Sequence, residues 1–250
     1  PRQLASYAAS LIRRDGSATQ LETPDLLGTL AWEPQDGSGN ASRAVWRSSS
    51  MSFTPFSGAD NWRVQVWSEE TGSSVVLGTA SDLNGTDETP MLDAEVVPTA
   101  NAENAFFASY RKEGENWVPS VLAYDLDAAD QDATVLGEGC YPAATTEGAL
   151  WAGDVASLDE ALSYGTLYRW DGSESTPVFS VSSEGDTWSI SGVWASDGYR
   201  AVSFSSSDAT AGAYIGIWEG DFERCVAWLH APAPRVIASM NDEWIVWGAG

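Results

Sequence analysis

Thr166-Leu167-Tyr168-Arg169-Trp170-Asp171-Gly172-Ser173 repeats the pattern of Ser10-Leu11-Ile12-Arg13-Arg14-Asp15-Gly16-Ser17, with the same Leu, the same Arg two residues on, and the same Asp-Gly turn. A short apolar run that ends in Asp-Gly reads as a strand entering a hairpin, because Gly accepts the left-handed backbone such turns require. Three further copies follow the pattern more loosely: Val64-Gln65-Val66-Trp67, Val121-Leu122-Ala123-Tyr124-Asp125 and Tyr214-Ile215-Gly216-Ile217-Trp218-Glu219-Gly220. Each of the five ends in an aromatic residue or Arg, and most continue into an acidic turn.

A second signature precedes four of these copies: Ala44-Val45-Trp46, Ala105-Phe106-Phe107, Ala149-Leu150-Trp151 and Ala201-Val202-Ser203, with Ile245-Val246-Trp247 as its fifth occurrence. Short apolar runs follow the acidic turns, as in Val75-Val76-Leu77, Thr134-Val135-Leu136, Val178-Phe179-Ser180-Val181 and Cys225-Val226-Ala227-Trp228. Others precede the second signature: Leu27 to Trp32, Ala94 to Val97, Ser189 to Trp194 and Arg235 to Met240. Their Gly and Ala suit the crowded centre of a radial array. With the four strand types named a to d in chain order, the sequence runs c-d, four complete a-b-c-d sets, then a-b.

The two half-sets complete one blade. The expected fold is therefore an all-β, five-bladed β-propeller of four-stranded antiparallel blades, a single domain over residues 1–250, closed by pairing the N-terminal strands with the C-terminal ones. Closure removes two open strand edges that would otherwise invite aggregation. A six-bladed or truncated propeller is the nearest variant. A β-sandwich leaves a fivefold recurrence without a reason. Variable segments such as Arg47 to Asn61 and Ala152 to Gly165 are expected as b-c loops, with one helical turn in Ala156 to Tyr164. Trp46, Trp151, Trp170, Trp218 and Trp247 are expected to fill the space between sheets. Trp62, Trp117, Trp188 and Trp194, near strand ends, are candidates for a ligand surface.

The pairing of Val-Trp on one strand with hydrophobic-x-aromatic-Asp on the next resembles the blades of bacterial TolB-like and WD-like propellers. The resemblance runs over nearly the whole chain and implies a blade architecture, with no particular activity attached. The Trp-Asp mark of WD repeats occurs here as Trp170-Asp171.

Composition narrows the function classes. The formal net charge is −24 and the sequence pI about 4.1, so phosphate backbones and anionic membranes are repelled and nucleic acid is not expected as a partner. The carboxylates lie scattered through turns, as on a solvated acidic surface, and Lys112 is the single lysine. No apolar run approaches the roughly 18 residues needed to span a bilayer. A secreted or surface-anchored parent is expected, extracellular or in the cell envelope, with its targeting or anchoring segment outside this chain. The chain itself is expected to act as a monomer. Cys140 and Cys225 lack metal-site or CxxC spacing and read as two buried thiols on different blades, too far apart to bridge.

The candidate chemistry is sparse. His230, the single histidine, falls at the outer end of a d strand with no Gly-x-Ser-x-Gly elbow to serve, which argues against a Ser-His-Asp hydrolase. Glycoside hydrolysis needs only a pair of carboxylates, and five-bladed enzymes resembling arabinanases carry theirs on innermost strands facing the axial channel. The corresponding positions here are Asp25, Asp93 or Glu95, Asp186 and Arg235. Asp93, Glu95, Asp186, Arg235 and Trp188 are therefore expected to form a ligand site at the channel mouth, with no catalytic roles assigned. Two acidic stretches, Asp82 to Glu88 and Asp125 to Asp132, place carboxylates at alternate positions as calcium loops do, but neither completes an EF-hand pattern, and no metal or cofactor is expected. The leading function is a non-catalytic binding module for a protein or glycan. A glycoside hydrolase or lyase, and a structural domain of a larger surface protein, are the alternatives.

Overall fold

A computed structural model of the chain describes residues 10–12, 16–20, 26–32, 43–54, 57–86, 89–90, 92, 98–128, 132–158, 161–181, 188–206, 208, 210–231, 236–240 and 242–249. The chain is all-β. It opens with a hairpin of β1 (Ser10–Ile12) and β2 (Ala18–Gln20). Among the described residues, four antiparallel four-stranded sheets follow. Sheet one holds β3 (Leu26–Trp32), β4 (Arg43–Thr54), β5 (Ser57–Ser68) and β6 (Ser73–Thr79), after which comes one short helix, α1 (Ala80–Asn84). Sheet two holds β7 (Thr99–Ala100), β8 (Asn104–Glu113), β9 (Asn116–Asp125) and β10 (Thr134–Glu138). Sheet three holds β11 (Cys140–Ala144), β12 (Ala149–Leu158), β13 (Ala161–Trp170) and β14 (Ser175–Ser180). Sheet four holds β15 (Trp188–Ala195), β16 (Tyr199–Ser206), β17 (Ala213–Glu219) and β18 (Arg224–Ala231). The hairpin β19 (Val236–Met240) and β20 (Ile245–Ala249) ends the chain.

In every sheet spatial order equals chain order, so each is a meander built from tight turns. The succession follows the order read from the sequence: two strands, four sets of four, two strands. The first strand of sheet two is Thr99–Ala100, however, while the expected Ala94 to Val97 lies outside the described residues. Among the described residues β1-β2 and β19-β20 are separate two-stranded sheets and do not pair with one another. The aligned Asp-Gly copies also share turn geometry, with φ of 83° at Gly16 and 96° at Gly172. At the second copy the Asp171 carboxylate accepts hydrogen bonds from the Ser173 and Glu174 backbone N–H groups, both at 2.9 Å. That contact locks the reversal between β13 and β14.

Two expected loops are strands instead. The β4-β5 ladder runs from Arg43↔Ser68 to Thr54↔Ser57, so the stretch Arg47 to Asn61 extends a long hairpin. Its Ser50-Met51-Ser52-Phe53 alternates polar and apolar, the period of a strand. The β12-β13 ladder likewise continues to Leu158↔Ala161, so the described residues of Ala156 to Tyr164 are strand in place of the expected helical turn. Cross-strand pairing there overrides the weak local helix propensity of Leu158-Asp159-Glu160-Ala161-Leu162.

The helix α1 occupies part of an acidic stretch that resembles a calcium loop. Thr79 is its N-cap: the Thr79 hydroxyl accepts from the Asp82 N–H at 3.1 Å, and the Asp82 carboxylate accepts from the Thr79 N–H at 3.0 Å. This reciprocal pair satisfies two otherwise free donors, and it commits the Asp82 side chain to capping. Gly85, at φ 65°, ends the helix.

By contact density the chain divides into two compact units, Pro1–Val118 with Leu122–Thr134, and Pro119–Val121 with Val135–Gly250. The core of the first gathers Val45, Trp62, Val64, Val66, Leu77, Phe107, Leu122 and Tyr124. Trp62 is fully buried and meets Phe107 at 4.9 Å between ring centroids. It is a core residue, contrary to its expected place on a ligand surface, because the longer β5 carries it into the sheet interior. Trp46, Trp151 and Trp170 are buried as expected, while the side chain of Trp247 lies outside the described residues. In the second unit Ala201, Ala213 and Ile215 are covered by Trp194, Ile217, Leu229, Met240 and Ile245. Cys140 is buried and Cys225, expected buried, is exposed on the edge strand β18; both are free thiols.

Candidate functional site

The second unit carries an open aromatic trough on one face of sheet four. Successive side chains of a strand point to opposite faces, so Tyr214, Gly216 and Trp218 of β17 share a face, while Ile215 and Ile217 turn to the core. Register brings further rings to that face: Phe204 of β16 stands opposite Tyr214, while on β18 Trp228 stands opposite Gly216 and His230 opposite Tyr214. From sheet three, β14 contributes Phe179, whose ring lies 6.2 Å from Phe204 and 5.9 Å from Trp218.

Two groups of rings result. Phe179, Phe204, Trp218 and Trp228 form one, with Trp218 edge-on to Trp228 at 5.6 Å and 73°, and to Phe204 at 6.4 Å and 72°. Trp188, at the start of β15, leans on Tyr214 at 5.6 Å, and His230 covers the other side of Tyr214 at 4.8 Å. These groups line a cavity of about 520 Å³ whose walls are Phe179, Ser180, Val181, Trp188, Phe204, Tyr214, Trp218 and Trp228. That volume lies within the usual range of about 300–1,000 Å³ for ligand sites.

Gly216 makes the arrangement possible. A Cβ at this position would stand 2.3 Å from Cη2 of Trp218, so the indole lies directly over the glycine. The same device recurs two strands earlier, where Trp194 lies over Gly192 with Cη2 at 2.4 Å from the would-be Cβ. In both the glycine precedes the tryptophan by two residues on the same strand face.

The walls offer π faces and few hydrogen-bonding groups. Among the described residues, Ser180 is the only hydroxyl of the lining besides Tyr214, and its Oγ is already paired with Thr166 Oγ1 at 2.8 Å. The trough is nonetheless wet at its edge: Trp228 is 58% exposed and Tyr214 37%. An exposed cluster of large aromatic side chains, held by a rigid sheet, marks a contact site more often than chance exposure.

Of the five residues expected to bind ligand, Trp188 lies in this trough. Asp93, Glu95, Asp186 and Arg235 lie outside the described residues, as does Asp25. Trp117 sits instead beneath Lys112, whose Nζ is 5.9 Å from its ring, and Trp194 packs into the core. His230 is on β18 as expected. Sequence reasoning treated Trp218 as a filler and passed over Trp228, although aromatics at alternate positions on adjacent c and d strands were the available signal. Among the described residues no group of three or more His, Cys, Asp or Glu is placed to hold a metal ion. Asp125 is engaged by the Asp127 N–H at 2.8 Å and Asp127 by Arg43 at 2.7 Å. Among the described residues, no helix is long and apolar enough to cross a membrane. No family model, curated protein or solved structure matches the chain.

Proposed function

We propose that the chain is a non-catalytic binding module, a five-bladed propeller of the TolB-like kind, which engages a protein ligand through the aromatic trough of sheet four in an extracellular or cell-envelope setting. The observation that carries the binding reading is the exposed aromatic face itself, above all Trp228 at 58% exposure beside a cavity of about 520 Å³. Covering the exposed part of one Trp removes on the order of 100 Å² from water, worth about 2–3 kcal/mol at roughly 25 cal/mol per Å². A protein ligand is favoured over a glycan because the described walls are almost entirely apolar and aromatic, whereas sugar hydroxyls need convergent hydrogen-bonding side chains. The trough lies by the edge strands β14 and β18, so this reading moves the contact from the channel mouth to the outer strands of the blades.

Binding is tested by screening the purified chain against peptide and oligosaccharide panels beside Trp228→Ala. Peptide hits that vanish in the variant support the reading, and identical profiles for the two proteins reject it. The propeller is supported by the strand succession and by the matched Gly16 and Gly172 turns. With Cys140 and Cys225 replaced by Ser, cysteines at Leu11 and Val246 should form a disulfide on oxidation, which requires Cα atoms within about 7 Å. Scattering should give a radius of gyration of about 18 Å, the value for one compact domain of this length. A larger radius together with no crosslink would overturn ring closure.

A further inference from the structure

We infer that the trough receives an arginine side chain from a basic protein segment. The inference rests on the trough being a binding site and names the group that enters it. Its walls set several π faces at steep mutual angles, with Trp218 at 73° to Trp228 and 72° to Phe204 and Trp188 at 60° to Tyr214. The π face of each ring carries negative quadrupole charge, and rings at steep mutual angles around one cavity can present a face to a weakly hydrated cation from more than one side. A guanidinium is planar, stacks on indole and phenol rings, and gives up water more readily than an ammonium.

The surroundings have the matching sign. Residues 135–250 hold sixteen Asp and Glu, four Arg and no Lys. Among the described arginines of that stretch, Arg169 is paired with Asp221 at 2.6 Å and Arg224 with Glu219 at 2.9 Å. Arg200 is turned onto the carbonyl of Tyr199 at 2.9 Å. None of the three lines the cavity. The acidic turn Glu219 to Glu223 runs beside the trough through Phe222, whose ring meets Trp218 at 5.5 Å and Phe179 at 5.7 Å. A neutral peptide would gain only burial here, whereas an arginine gains burial of its stem, the ring faces and the field of the acidic surface.

The test compares a short Gly-spaced peptide carrying three arginines with the same peptide carrying three citrullines, which keep the planar shape without the charge. Affinities are read from Trp fluorescence and calorimetry at 0.15 M and 0.5 M salt. The arginine peptide should bind at least about fivefold tighter, and Trp228→Ala should lose at least about fivefold while Trp228→Tyr retains most of the affinity. Thermal melts of both variants confirm folding, since Trp228 is 58% exposed. Equal binding of the citrulline peptide, lost in Trp228→Ala, would overturn the charge assignment and leave the trough as an apolar site. Arginine binding undiminished in Trp228→Ala, or abolished at 0.5 M salt, would assign it to bulk acidity and overturn the inference. If neither peptide binds, the inference falls, and the peptide and oligosaccharide panels decide the binding reading separately.

Discussion

Replacing Gly216 by Ala tests whether the trough owes its shape to the glycine beneath Trp218. The added Cβ would stand 2.3 Å from Cη2 of the indole and 2.6 Å from Cζ3, where carbon atoms rest at about 3.5–4.0 Å. The far edge of the ring must therefore rise by more than about 1 Å. The indole also meets Phe179, Phe204, Phe222 and Trp228, at centroid distances of 5.9, 6.4, 5.5 and 5.6 Å, so lifting it disturbs those contacts. Overpacking of this kind costs about 1–3 kcal/mol, while removing a glycine from a strand returns about 0.5–1 kcal/mol through the unfolded chain. The net loss is up to about 2.5 kcal/mol, centred on about 1 kcal/mol, or a fall in Tm of about 2–4 °C per kcal/mol for a chain of this size. The proper control is Gly165→Ala in β13, where the nearest atom, Asp154 O, would be 3.8 Å from the new Cβ. It should melt at or slightly above the wild-type temperature. Urea and thermal unfolding measure both, and near-UV circular dichroism should change for Gly216→Ala alone. Indistinguishable melting of the two variants would refute the argument that the glycine holds the indole in place.

Trp62→Ala should cost about 3–5 kcal/mol in urea unfolding, because Trp62 is fully exposed to none of the solvent and packed on Phe107; a loss under about 1 kcal/mol would return it to the surface. A thiol reagent should label one cysteine in the native protein and two in denaturant: Cys225 is exposed, whereas Cys140 is buried, and burial pushes its thiol up to about 11. Rapid labelling of both in the folded state would contradict the placement of β11. Asp242 is held below its ordinary carboxylate value by the Gly198 N–H at 2.8 Å and the Ser196 hydroxyl. A folded value below the unfolded one adds stability that is present above about pH 4 and lost as pH falls through the folded value. Asp242→Asn should therefore melt with a shallower loss below pH 4, and an unchanged acid limb would exclude the contact.

The strand order was legible because it is written in short local signals. Alternation over a few residues, Asp-Gly turns and Ala-Val-Trp runs each specify a strand or its end without reference to distant residues, as Gly16 and Gly172 demonstrate with nearly the same φ. What failed depended on length and register. The hairpin arms beyond Arg47 and Ala152 are mostly polar, the short alternation of Ser50 to Phe53 being their one local strand signal, and most of their strand character comes from pairing with the opposite arm. Trp62 was misplaced for the same reason, since a strand longer by several residues turns an expected loop position into a core position. The trough was hidden by a different obstacle. It requires knowing that Tyr214, Trp218, Trp228 and His230 share one face and that Phe179 arrives from the neighbouring sheet.

The glycine two residues before Trp194 and Trp218 links fold to site. On an ordinary strand a tryptophan stands away from the sheet and fills the gap to the next layer, which is the role its recurrence suggested. With glycine two positions earlier the indole folds back over its own strand, and the gap it would have filled stays open. At Gly192 the consequence is internal, because Trp194 then covers Ala201, Ala213 and Ile215. At Gly216 the face is the one that Trp228 borders, and the unfilled volume becomes the cavity. The same two-residue spacing thus builds a packed core on one face of sheet four and keeps a pocket open on the other.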